Sequence, residues 1–307
     1  MPSPVLTGDI ARLLQEGVQK VFGDAYDKWE KQYPLIFDEF KSSKNYELDV
    51  QLEGLGLAPV KTEGNSSAFD SFRQGFTPKY PNLNYSLGFI ISEEALEDEL
   101  YGEMEKKSRS LGFSMSQTKE QVAADVLNNG HDTNYIMVDG DGLPLFSTAH
   151  VNGPSGGTFS NRLSVAADLT EASLEDLTIQ VRTATDPRGL QIALQVIRLI
   201  VHPNDQFEAQ RIMGSVLQND TANNATNALR DSKVITQGFA VNQYLTDTDA
   251  FFLKTSCPDG LKHFMRRAVR FQDDNEFTSN NMRMKASERY SFGWTDPRGC
   301  FSNGGGA

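Results

Sequence analysis

Cysteine is nearly missing from this 307-residue chain, which has only Cys257 and Cys300. Two thiols without metal-ligand spacing exclude a disulfide framework and read as reduced side chains. Long apolar runs are missing too: nothing approaches the roughly 18 residues that a membrane-spanning helix needs. The opening MPSPVLTGDIARLLQEG has no basic segment ahead of a long apolar core, so it does not read as a secretory signal. Bases are short against acids, 29 to 41, for a net charge of −12. A groove that grips phosphates needs clustered Lys and Arg, so nucleic-acid binding of a general or sequence-specific kind is not expected. The stretch HFMRRAVR (His263 to Arg270) is too short to reverse that balance. There is no G-x-x-x-x-G-K-[ST], and no G-x-G-x-x-G following a strand. The four histidines, His131, His150, His202 and His263, lack H-x-x-x-H spacing and cysteine neighbours, so neither a metal nor a cofactor is expected.

What is present is an ordinary folded composition, 38% hydrophobic and 23% charged, in a chain long enough to bury a large core. Thr7 can cap a helix whose apolar stripe is Ile10, Leu13, Leu14, Val18, Val21 and Phe22. Pro34 should end or kink any helix that extends so far, and this opening reads as an arm outside the core. From Asn45 to Ser92 a β-excursion goes out through Tyr46, Leu48, Val50 and Leu52 and returns through Tyr80, Leu83, Tyr85, Leu87 and Phe89. Its tip, between Leu57 and Phe76, is polar and rich in Gly, Ser and Asn, yet carries Phe69, Phe72 and Phe76. A loop that long with aromatics on it is expected to meet a partner.

Ser92 can then open a long helix ending at the stop signal Asn128-Asn129-Gly130. Its apolar line runs through Leu96, Leu100, Met104, Leu111, Met115, Val122 and Val126, with a wide acidic face opposite. Gly102 and Gly112 interrupt an otherwise helical pattern. Downstream, Ser173 to Ala184 reads as a helix, Ala193 to Val201 as a strand covered on both faces, and Pro203 as the start of a helix burying Ala209, Ile212, Met213, Val216 and Leu217. Asn219 to Ser232 reads as a polar loop. DAFFLKTS is a strand, and MRMKASERYSFGW alternates, with Met282, Met284, Ala286, Tyr290, Phe292 and Trp294 on one face and Arg283, Lys285 and Arg289 on the other.

DGDGLPLFSTAH (Asp139 to His150) is the stretch that most resembles chemistry. Asp139 and Asp141 start like a calcium loop, but Leu143, Pro144 and His150 occupy its fifth, sixth and twelfth positions, so an Asp-Gly turn is the better reading. Ser147 and His150 could be nucleophile and base only if a third group orients the ring, and no G-x-S-x-G elbow surrounds the serine. No catalytic residue is assigned.

The order of parts resembles the major capsid proteins of tailed phages with the Hong Kong 97-type fold, an α+β architecture. More narrowly it is similar to the Mu-like major head subunit family, on LGLAPVKTEG (Leu55 to Gly64), LGFIISEEALEDELYG (Leu87 to Gly102), TKEQVAADVLNNG (Thr118 to Gly130) and DGLPLFSTAH (Asp141 to His150). The resemblance implies an N-terminal arm over 1–44 and an extended E-loop over 45–91. It implies a peripheral domain over 92–167 and 249–307 with a spine helix over 92–129, and an axial domain over 168–248. On the loop, Lys61, Glu63, Phe69, Phe72, Arg73, Phe76 and Tyr80 would touch a neighbouring subunit. The implied function is a non-enzymatic shell protein that assembles with itself into hexamers and pentamers around phage or prophage double-stranded DNA. Its implied partners are a separate scaffolding protein and a portal, and its place is the virion, assembled in the bacterial cytoplasm. Two other readings stand beside it: an encapsulin-like nanocompartment of the same fold, and a hydrolase using Ser147 and His150.

Overall fold

The computed structural model describes residues 7–92, 94, 101–153, 156–217, 226–275 and 281–304. In chain order, α1 (Thr7–Asp27) is followed by β1 (Asp38–Lys41), β2 (Tyr46–Leu48), β3 (Leu52–Glu53), β4 (Arg73–Gln74), β5 (Lys79–Pro81) and β6 (Leu83–Ile91). Next come α2 (Tyr101–Asn128), β7 (His150–Val151), β8 (Thr158–Phe159), α3 (Glu171–Arg182), β9 (Val196–Val201) and α4 (Gln206–Gly214). The short α5 (Ala228–Asp231), β10 (Phe239–Val241), β11 (Phe251–Thr255), β12 (Leu261–Asn275), β13 (Met282–Trp294) and β14 (Cys300–Ser302) complete the fold.

Two four-stranded sheets organise these elements. The first has the order β1-β12-β13-β6, parallel at β1–β12 and antiparallel elsewhere. The alternation read from MRMKASERYSFGW is the strand β13, and its even face packs inward: Met284, Ala286 and Tyr290 are buried. Glu288 lies on that same face and is buried with them. Across that face lies α2, whose 28 residues span about 42 Å. Met104, Leu111 and Met115 of the expected stripe are buried there, and Val122 is half-buried. Leu96 and Leu100, together with Glu93, Glu97, Asp98 and Glu99 around them, lie outside the described residues.

The opening helix is not a detached arm. Val18 of α1 packs with Met104, Met282 and Met284, while Phe22 and Tyr26 pack with Leu111, Met115 and Ala286. Gly112 makes this possible: a Cβ there would sit 2.7 Å from the Phe22 carbonyl oxygen and 3.1 Å from the Ala25 Cβ. The glycine that weakened the helix pattern is where the backbone of α1 comes close to that of α2. Around Pro34, Glu120 of α2 accepts the Gln32 and Tyr33 N–H groups at 2.9 and 3.0 Å, and Tyr33, Ile36 and Phe37 enter the core.

The second sheet has the order β10-β9-β11-β14. One face packs on α3 and α4 through Leu174, Leu177, Val181, Ala209 and Ile212. On the other face, Ile200, Phe252 and Cys300 meet Val126 and Leu127 of α2, so β9 is covered on both sides as its composition requires. This sheet draws β11 and β14 from beyond 168–248, so the sheet does not follow that boundary. Two local expectations fail. Val216 and Leu217 are exposed because α4 stops at Gly214 before their turn is reached. Within the supposed polar loop, residues 228–231 are helical and Leu229 is buried, because Asn227 caps that turn through the Arg230 N–H.

His263 on β12 is fully buried, stacked on Phe292 at 4.3 Å between centroids, and neither ring nitrogen has a hydrogen-bond partner among the described residues. Burial, then the nearby Lys119 charge, lowers its pKa from 6.5 to about 3. Glu39 lies 3.5 Å from Nδ1 but is half-exposed, and its solvated charge does not offset this. The unfolded chain therefore takes up a proton near pH 6.5 that the folded ring refuses until about pH 3. Stability is full above that window and falls as the pH drops through it. Between pH 7.5 and 4.5 the loss from this ring is expected to be about 2 to 3 kcal/mol, read from urea unfolding midpoints. His263→Phe should lose correspondingly less over the same interval; an equal loss in both proteins would contradict the assignment.

Candidate interaction surface

Residues 49–78 leave the body as a narrow double strand. Its root is rigid: β2 pairs with β5, β3 with β4, and Asp49, Gln51 and Gly75 N–H groups bond across to Pro78, Phe76 and Gln51 carbonyls at 3.2, 2.9 and 2.8 Å. Asp49 is bonded to both Lys262 and Thr295, and the Tyr80 hydroxyl meets Thr295 at 2.6 Å. Tyr80 is fully buried in this network, so it anchors the loop and is not a contact for a neighbouring subunit. β6, the last nine residues of the supposed excursion, is likewise an integral strand of the first sheet.

Beyond β3 the loop changes character. Leu57, Val60, Phe69 and Phe72 are 81%, 94%, 94% and 66% exposed. Lys61, Glu63 and Arg73 are exposed as well, while Phe76 is half-buried beside the ladder. A cluster of large apolar side chains left in water on a projecting segment marks a surface that a partner covers. The tip is held by few groups. Asp70 accepts the Gly56 N–H at 2.9 Å and the Ser71 N–H at 2.8 Å and pairs with Arg188, which also donates to the Ser71 carbonyl at 2.7 Å. Those two amides first, then the guanidinium, hold the Asp70 carboxyl at about 2.

A second surface lies on the face of the first sheet turned away from α2. Register places Arg283, Lys285 and Arg289 of β13 beside Arg267 and Arg270 of β12, with Asp274 across from Arg283. This basic face stands out in a chain of net charge −12. The β13 bases were legible from alternation, but those of β12 were not: two irregularities between Met265 and Arg270 break its period and bring Arg267 and Arg270 onto one face.

The stretch that most resembled chemistry is a structural joint. Asp139 takes a positive φ of 61° and Asp141 Oδ1 accepts the Leu143 N–H at 3.1 Å, as an Asp-Gly turn should. The His150 ring is fully buried, with Nδ1 2.5 Å from Asp141 and Nε2 3.2 Å from the Leu145 carbonyl. Both nitrogens are thus engaged away from Ser147, whose Oγ accepts the Ala149 N–H at 3.2 Å. Sequence reading missed the group that fixes this joint, Asn161. Its Nδ2 donates to the Leu145, Pro297 and Cys300 carbonyls at 2.7, 3.0 and 3.1 Å, and its Oδ1 accepts the Ser147 N–H at 2.9 Å. All four contacts are remote or backbone-mediated, so no local motif announces them. No group of three or more His, Cys, Asp or Glu side chains that could hold a metal occurs among the described residues. No helix among them is long and apolar enough to cross a membrane.

Set beside known proteins, residues 84–303 match a family model described as phage capsid protein. By structure the chain is similar to a virus-like particle from Pyrococcus furiosus, with a TM-score of 0.56, 12% identity, and 94% of this chain and 97% of that one covered. It is also similar to the bacteriophage JBD30 procapsid, with a TM-score of 0.54, 14% identity, and coverage of 99% and 77%. The capsid of a native GTA particle gives 0.55 at 10% identity, with 88% of each chain covered. At these identities the structural likenesses bear on the fold alone. No curated protein matches by sequence.

Proposed function

This chain belongs to the phage capsid protein family and is a major capsid shell protein of Hong Kong 97-type fold, and from that premise we propose how its parts divide the work of closing a shell around double-stranded DNA. The observation that carries the reading is the projecting segment between Gly54 and Phe72, with its exposed Leu57, Val60, Phe69 and Phe72 on a rigid root. It is the E-loop, and it reaches over a neighbouring copy. Residues 92–167 and 249–307, with α2 as the spine, act as the peripheral domain, and 168–248 as the axial domain around which hexamers and pentamers close. The chain falls in the Mu-like branch of the family, takes a separate scaffolding protein and a portal as partners, and assembles in the bacterial cytoplasm before becoming part of the virion. Its role in this reading is structural and not enzymatic, and the engagement of both His150 nitrogens argues against the hydrolase that would use Ser147 and His150.

Contacts of this kind are heterologous, each loop meeting a different surface on the next copy, and they close when the rotation between copies is a symmetry of the ring. Negative-stain microscopy with light scattering on the purified chain, alone and with its scaffolding protein, tests the proposal. Shells, tubes or rings of five or six subunits are expected. A strict monomer in both conditions would sink it, and a foreign protein enclosed in place of DNA would move it to a cargo-carrying compartment.

A further inference from the structure

The loop's root and tip are attached to the body in different ways. The root is built into the protein by two short ladders and the Asp49, Lys262, Thr295 and Tyr80 network. Between Gly54 and Phe72, by contrast, the hydrogen bonds to the body among the described residues come from one side chain, Arg188.

Each half of that contact is built without the other. On the loop, the Gly56 and Ser71 amides orient the Asp70 carboxylate, and the Ser71 carbonyl next to it completes an acceptor pair. On the body, the Asp186 carboxylate accepts the Arg188 and Leu190 N–H groups at 2.9 and 2.8 Å, and Gly189 closes the turn at φ 82°. Two preformed halves can meet equally well within one chain or between two. The apolar side chains of the tip break the tie. The chain's own body leaves Val60 and Phe69 almost wholly in water, so the tip gains from any surface that covers them, and its own body does not offer one. Arg188 also keeps a spare donor, since its buried Nε has no partner among the described residues.

We propose that in the assembled shell this contact is made in trans, with the Asp70 carboxylate and Ser71 carbonyl of one copy seated on Arg188 of a second copy of this chain. When every copy passes its loop to the next, each vacated Arg188 is refilled, and a closed ring keeps as many ion pairs as it has subunits. The exchange therefore costs no charge pairing, while the apolar tip becomes covered. The inference rests on the reading of the segment between Gly54 and Phe72 as one that reaches a neighbour.

Charge reversal in separate chains tests it. Arg188→Asp alone and Asp70→Arg alone should each lower the yield of sedimenting shells about tenfold or more, because many identical contacts are lost at once. Mixed one to one, the two variants should recover most of the yield. In alternation around a ring of six, every loop then meets an opposite charge on the next body. No recovery on mixing, with recovery only when both changes share one chain, would show the contact to be internal and overturn the inference. Single variants that assemble like the parent chain would overturn it too, while leaving the proposed function intact. Failure of the parent chain itself to form shells would instead sink the proposed function. If a reversal prevents folding, Asp70→Cys and Arg188→Cys placed in differently tagged chains and treated with a short bismaleimide decide the same question. A product carrying both tags is expected, and its absence from intact shells would overturn the inference.

Discussion

Replacing Lys119 by methionine is expected to destabilise the subunit by about 3 to 5 kcal/mol, because it strands a carboxylate in the core. Lys119 Nζ lies 3.5 Å from Glu288, and the two side chains are only 5% and 1% exposed. Tyr26 donates its hydroxyl to the same carboxylate at 3.1 Å, and the ammonium sits 5.0 and 5.1 Å from the Tyr33 and Tyr290 ring centres. Burial lowers the Lys119 pKa and raises that of Glu288, so each charge is tolerated only because the other is present. Removing one partner leaves the other unpaired, whereas neutralising both should recover most of the loss. The comparison is Lys119→Met against Lys119→Met with Glu288→Gln, each followed by urea unfolding. A single substitution costing less than about 1 kcal/mol would mean that water reaches the pair and that the cluster is not a core element.

The second large effect is on assembly and not on folding. Deleting residues 57–69 and joining the ends through a short Gly-Ser link should lower shell formation about a hundredfold or more, because every subunit loses the same contact. The three exposed apolar side chains it removes, Leu57, Val60 and Phe69, represent roughly 5 to 9 kcal/mol of gross burial per loop if a neighbour covers them, before the cost of ordering the loop. The unfolding midpoint of the isolated subunit should hardly move, since Leu57, Val60 and Phe69 add nothing to its core. Normal shells from the shortened chain would show that the loop is not the contact.

These two expectations also mark what could be read from the sequence alone. The loop was legible because exposed aromatics in a polar, glycine-rich stretch are a local anomaly. The strand β13 was legible because period-two alternation is local as well. The Lys119–Glu288 pair was not, since Glu288 falls on the apolar face of its strand and its partner lies on a distant helix. Tyr80 misled for a related reason: an aromatic on the returning limb looks the same whether it faces a neighbour or Thr295. The packing of α1 on α2 was hidden because Gly112 signals a weak helix to any local pattern, while its effect is to admit another backbone. A sequence marks which face is apolar, but which element covers that face depends on long-range contacts.

The strand order of the first sheet has a consequence for synthesis. Its edges, β1 and β6, emerge from the ribosome well before β12 and β13, which lie between them, and the edges do not touch each other. At about 5 to 20 residues per second, roughly 10 to 50 s separate the translation of β1 from that of β13. Until then Glu288 does not exist to receive Tyr26, and α1 has no sheet to lie on. A prematurely released chain therefore lacks the centre of this sheet and not merely its rim. Only chains elongated past β13 can present this folded sheet to a growing particle, so the order of the strands itself screens out shorter ones.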